Sequence, residues 1–169
     1  MTMDRSNQTT LCYIEREGKY LMMHRVKKQH DINKDKWVGI GGHFEPDESP
    51  EECLLRECRE ETGLTLTDYQ LRGVITFISD RWQTEYMFLY TATGYEGTIG
   101  ECNEGTLAWV AKDKVYALPL WEGDKLFFRL LETRTAFFSL KLRYMGEKLC
   151  EAVLDGKPLD LTKRLEFFK

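Results

Sequence analysis

Gly42-His-Phe-Glu-Pro-Asp-Glu48-Ser-Pro-Glu-Glu-Cys-Leu-Leu-Arg56-Glu57-Cys-Arg-Glu60-Glu61-Thr-Gly63-Leu64 is the stretch that decides how this chain folds and what it does. Its middle predicts a helix over Pro50–Thr62. Ser49 suits the N-cap, Pro50 the first helical position, and Glu52 completes a Ser-x-x-Glu capping box. Gly63 is the expected stop. Side chains three and four positions apart share a helix face, so Glu57, Glu60 and Glu61 cluster and repel one another. Neither Glu57 nor Glu61 has a Lys or Arg three or four residues away to relieve this. Cys53 and Leu54 lie on the same side one turn earlier, whereas Glu52, Arg56 and Arg59 point the other way. The expectation is a solvent face with its own Glu52–Arg56 pair and an acid cluster that looks inward. Inward carboxylates need a cation. Hard oxygen ligands favour Mg²⁺ or Mn²⁺, but Lys or Arg from elsewhere in the fold would also serve, and the face argument leaves both open.

Working outward, the 169 residues suit one domain. With 28 acidic and 24 basic side chains the net charge is −4, which disfavours sequence-independent duplex binding. The imbalance is local: residues 45–61 hold eight acids and two bases. No apolar run approaches a membrane span, and the polar start Met1–Thr10 lacks a signal-peptide apolar core. These features predict a cytoplasmic protein with no membrane partner. The five cysteines form no Cys-x-x-Cys pair, and the three histidines no His-x-x-x-His pair. A disulfide framework, a zinc ribbon and a histidine-rich metal site are therefore not supported.

Strands are expected at Thr9–Glu15 and Lys19–Val26, and again at Lys36–Ile40 after a polar, basic loop. Beyond the helix come Gln70–Ile78, Glu85–Thr93 and Thr106–Val110, a second helix over Asp124–Glu132, and a hairpin of Phe137–Tyr144 with Lys148–Val153. This order suggests an α+β domain whose mixed β-sheet is sandwiched between helices.

The opening stretch has the pattern G-x5-E-x7-R-E-U-x-E-E-x-G-U, with U apolar, and every fixed residue is present. It resembles the Nudix box. The strand order resembles the Nudix fold over residues 9–155, which leaves 1–8 as a flexible N-terminus and 156–169 as a C-terminal tail. The resemblance implies hydrolysis of a nucleoside diphosphate linked to another group. It implies that Glu57, Glu60, Glu61 and the Gly42 carbonyl hold Mg²⁺, that Glu57 or else Glu60 is the general base, and that Glu48 and Arg56 support the loop and helix. Glu104, five residues before Trp109, is the expected further metal or water contact, with Glu101 as its competitor. Arg25 is expected to hold outer phosphates, ahead of the neighbouring Lys27 and Lys28.

Lys36-Trp-Val-Gly-Ile-Gly-Gly-His43, Gly73-Val-Ile-Thr-Phe77, Cys102-Asn-Glu-Gly-Thr-Leu107 and Trp121-Glu-Gly-Asp124 are similar to MutT-type members, in particular the MutX-like 8-oxo-dGTP diphosphatases of Gram-positive bacteria. This implies a purine pocket in which Trp121 offers a ring face and Asp124 pairs with the base edge. Mammalian relatives carry an Asn where Val38 stands and an acid where Gly123 stands, so one base-reading amide and one carboxyl are missing here. Many MutT-type enzymes also have Lys in place of His43. The expected partner is a nucleotide substrate, with no direct nucleic acid, in a monomer or homodimer.

Overall fold

The computed structural model describes residues 5–27 and 31–163. Its centre is a pair of strands, β1 (Gln8–Arg16) and β2 (Lys19–His24), that are apolar on both faces. Successive strand side chains point to opposite sides, so such strands must be covered twice. Cys12, Ile14, Leu21 and Met23 enter one core with Leu54 and Cys58, whereas Tyr13, Tyr20 and Met22 enter another with Phe127 and Phe128. The first core lies under α1 (Pro50–Thr62) and the second under α2 (Glu122–Thr133). One mixed sheet is thus sandwiched between the two helices, as the sequence predicts.

The remaining strands are β3 (Trp37–Val38), β4 (Thr65–Ser79), β5 (Glu85–Glu96), β6 (Thr106–Ala111), β7 (Phe138–Met145), β8 (Lys148–Leu154) and β9 (Lys157–Pro158). The sheet runs β3-β2-β1-β5-β4-β7-β8-β9, with β6 on β2. β1 is parallel to β5 and β4 to β7, and the other pairs are antiparallel. Among the described residues, no helix is long and apolar enough to cross a membrane.

Three elements differ from expectation. β3 is only two residues long, because Gly39–Gly42 folds back onto β1 through bridges at Cys12–Ile40 and Thr9–His43. β4 begins at Thr65, well before Gln70, and keeps pairing with β5 across several register shifts. β9 pairs with β8 inside the segment read as a tail.

Candidate active site

α1 is capped as its sequence requires: Ser49 Oγ accepts the Glu52 N–H at 3.1 Å and Glu52 Oε1 accepts the Ser49 N–H at 3.0 Å. This reciprocal bond uses the Glu52 carboxylate, so the expected Glu52–Arg56 pair does not form. Arg56 turns instead toward the acids. Its Nε and Nη2 fork onto the two Glu48 oxygens at 2.6 and 2.9 Å, and its Nη1 reaches Glu57 at 2.9 Å and Glu60 at 3.2 Å. Nη2 also donates to the His43 carbonyl at 3.0 Å, tying the preceding loop to the helix. A planar guanidinium suits this bidentate geometry. Arg56 holds Glu48 below the usual carboxylate range, and that pair is the main force raising the pKa of Arg56.

The three helix acids are not equally inward. Glu61 is buried, Glu57 is partly buried, and the Glu60 side chain is 59% exposed. Glu60 shares the last turn with the buried Glu61 and Thr62 but is itself exposed. Glu57 packs against the loop: a Cβ on Gly42 would lie 2.6 Å from its carboxyl carbon. The loop in turn lies on β1, with the Thr10 N–H donating to the Gly42 carbonyl at 2.9 Å. A Cβ on Gly41 would sit 1.8 Å from the Thr10 carbonyl oxygen, so this approach requires glycine. The Gly41 N–H meets Glu61 at 3.4 Å.

A cavity of about 480 Å³ opens here, within the range of small-molecule sites. Glu57, Glu61, Glu104, Gly42, Arg25 and Arg56 line it together with Trp121, Asp124, Phe77 and Val38. The acid cluster and the aromatic pocket thus share one space. Glu60 and Glu101 are not among the lining residues. Lys27 donates to the Cys102 carbonyl at 2.6 Å, and Lys28 lies outside the described residues.

Burial pushes the Glu61 carboxyl up to about 10, helped by the nearby charges of Glu104 and Glu57. Burial also raises Glu57, against the pull of Arg56. A buried carboxyl pressed by other acids is a place where a cation would restore ionisation. The donors are hard oxygens, so the residues fit a divalent cation such as Mg²⁺. Among the described residues, no three acidic, Cys or His side chains converge as a ready cage. Arg56 holds Glu57 and Glu60, while Arg25 joins Glu104 at 2.9 Å and Asp31 at 2.6 Å. Arg25 thus stands in the cavity wall, with part of its guanidinium engaged by two acids.

At the aromatic side, Trp121 is 7% exposed and packs edge-on to Phe77 and Tyr144. Lys36 Nζ lies 4.8 Å from its ring centroid. Trp121 is therefore both a core anchor and cavity wall. Asp124 is 8% exposed, and burial raises its pKa well above the ordinary value, opposed by Lys36. Gly123 is dictated by packing, since a Cβ there would lie 2.4 Å from Leu142 and 2.6 Å from the Tyr144 hydroxyl. The same hydroxyl accepts the Gly123 N–H at 2.7 Å. An acidic side chain at this position would have to displace both groups.

Sequence reasoning missed several wall residues. Thr9 Oγ1 is a buried cavity-lining group without a hydrogen-bond partner among the described residues, and the buried Tyr13 lines the same space. Asp31 and Asn33 line the cavity from the loop before β3. That loop reads only as polar and basic, and no local pattern marks these two positions.

Comparison with known proteins agrees with this geometry. The family model for the NUDIX domain matches residues 5–131. The Nudix hydrolase YvcI of Bacillus subtilis (strain 168) is 34% identical over 122 residues, covering 69% of this chain and 73% of its own. An oxidized purine nucleoside triphosphate hydrolase of Danio rerio is 31% identical over 134 residues, covering 78% and 83%. Among solved structures, the mutator MutT protein of Bacillus halodurans superimposes with a TM-score of 0.78 at 29% identity, covering 89% of this chain and 99% of its own. With its box on α1, its mixed sheet between two helices and these relatives, the chain belongs to the Nudix family as a MutT-like hydrolase of nucleoside diphosphate derivatives.

Proposed function

We propose that this chain is a Mg²⁺-dependent nucleoside triphosphate pyrophosphohydrolase whose preferred substrate is an oxidised purine nucleotide, 8-oxo-dGTP first. Mn²⁺ is the natural substitute ion. The observation that carries the reading is the single cavity shared by the α1 acids and the Trp121–Asp124 wall. The relative from Danio rerio, named for oxidized purine nucleoside triphosphates, supports it. Nucleotide-pool sanitation would be the cellular consequence.

Glu57, Glu60, Glu61 and Glu104, with the Gly42 carbonyl, would hold the cation. When bound, it supplies charge neutralisation for the phosphates and acidifies water. Glu57 accepts the proton of the attacking water, and Glu60 is the second candidate for that role. The water oxygen bonds to the β-phosphorus as the bond from that phosphorus to the α–β bridging oxygen breaks. The bridging oxygen leaves with the nucleoside monophosphate, and pyrophosphate is the other product. Arg56 and Glu48 are positioning residues that keep Glu57 and the Gly42 loop in register. Arg25, through the part of its guanidinium not taken by Asp31 and Glu104, contacts the outer phosphates.

The test is product-resolved hydrolysis of 8-oxo-dGTP against dGTP, with Mg²⁺, with chelator, and with Glu57→Gln. Metal-dependent pyrophosphate release with a clear preference for the oxidised base, lost in the variant, is expected. Equal rates on both nucleotides would remove the substrate assignment and leave the hydrolase chemistry.

A further inference from the structure

We propose that Asn33 is a specificity-determining residue: its side-chain oxygen holds the Trp121 indole while its NH₂ group donates to a carbonyl oxygen of the substrate's base. This rests on the reading of the cavity as a nucleotide site.

Trp121 Nε1 donates to Asn33 Oδ1 at 2.8 Å. An indole nitrogen can only donate, so it dictates which end of the carboxamide faces it. The oxygen is taken, and the two N–H bonds of Nδ2 are left on the other side. Asn33 lines the cavity, and no described residue accepts from its Nδ2. Val38, which also lines the cavity, has no hydrogen-bonding side chain. The amide is held rather than loose. Asp31 Oδ1 accepts the Asn33 N–H at 2.9 Å, Arg25 grips Asp31 at 2.6 Å, and the Lys36 N–H closes onto the Asn33 carbonyl at 2.9 Å. The Trp37 N–H then donates to the Pro119 carbonyl at 2.9 Å, joining this loop to the segment that carries Trp121. A donor fixed in this way selects an acceptor on the ligand.

The acceptor that suits it is an exocyclic oxygen. Guanine presents its 6-oxo group, and an 8-oxo base adds a second, whereas adenine offers an amino group at the corresponding edge. An amide NH₂ facing an amino group leaves both unpaired and is penalised accordingly. Burial holds the Asp124 carboxyl toward its neutral form, so the same wall carries a second group able to donate.

The experiment is calorimetric titration of 8-oxo-dGMP, dGMP and dAMP into wild type, Asn33→Asp and Asn33→Ala, with a thermal melt of each protein. Asn33→Asp is the sharper variant. It keeps an oxygen for the Trp121 N–H and removes the NH₂ donors. The two oxo-purine nucleotides should lose roughly 10-fold or more in affinity in this variant, with dAMP changing less than about 3-fold. All three ligands carry the same phosphate, so a mere charge effect would weaken them equally and overturn the proposal. Unchanged oxo-purine binding in Asn33→Asp would overturn it too, as would a loss confined to Asn33→Ala and matched by its melting temperature. Failure of wild type to bind any of the three removes the nucleotide reading and this proposal together. Binding by wild type without the Asn33→Asp effect removes this proposal alone.

Discussion

Glu61 and Asp124 are buried carboxyls on one cavity, yet their surroundings differ in kind. Glu61 sits among other acids, Glu57 and Glu104, on the α1 side. Asp124 sits at the start of α2 near Tyr13 and Tyr144, with Lys36 as the opposing charge. Burial raises both. The first is under pressure that a bound cation would relieve. The second is under pressure that an apolar wall maintains. On the proposed reading, one end takes phosphate and metal and the other a neutral polar ring.

The strongest way to break that contrast is at the acid end. Glu57→Gln keeps the shape of the side chain and removes the proposed proton acceptor, so turnover should fall by about 10²–10⁴-fold. Steady-state rates at saturating Mg²⁺ check this, and nucleotide binding should persist in the variant.

Metal removal is the next test. Mg²⁺ binding only the folded chain stabilises it by about 2.7 kcal/mol at 100-fold over its dissociation constant, which for this size is on the order of 5–10 °C. Melts with Mg²⁺ and with chelator should show that difference. Glu61→Gln should lose most of it, and without metal should melt above wild type.

The other end should answer to pH instead. A carboxyl raised by burial binds more protons folded than unfolded, so its contribution to stability falls as pH rises above the ordinary carboxylate pKa. Asp124→Asn removes that loss. The variant should gain stability over wild type at pH 7 relative to pH 4 while losing preference between purines, read by denaturant melts and by rates on 8-oxo-dGTP against dGTP.

The smallest effect lies outside both ends. Ser49→Ala removes the N-cap and should cost about 1 kcal/mol of stability, or about 2–4 °C, with kcat little changed.

Much of the acid end was legible before the structure. Ser49, Pro50, Glu52 and Gly63 mark the ends of α1, and helical spacing groups Glu57 with Glu61. These are local relations within one helix, governed by its period. The same reasoning misplaced two residues. Arg56 was expected to pair outward with Glu52, but the capping box uses that carboxylate and Glu48 lies within reach across the loop. Glu60 was expected to look inward, but it stays 59% exposed beside Arg56, while Glu61 and Thr62 of the same turn are buried. Helical angle assigns a side, and only the packed neighbours decide what that side meets.

The aromatic end was far less legible. Trp121 and Asp124 stood out through resemblance, and Asn33 did not stand out at all. Asn33 and Trp121 are 88 positions apart and meet only because β3 and the segment before α2 are hydrogen-bonded side by side. Gly123 looked like a lost acid, and the packing of Leu142 and Tyr144 from β7 shows why no side chain stands there.

By itself, the amino-acid sequence determined the helix that carries the acids, the presence of strands β1 and β2, and the family. Each of these follows from short-range periodicity and from residue types at set spacings. Tertiary structure alone decided which arginine holds which glutamate, how the Gly41–Gly42 loop presses on Glu57, and which amide stands beside Trp121. Those contacts join segments distant in the chain, where closure of the sheet, steric fit and donor–acceptor matching select the partners.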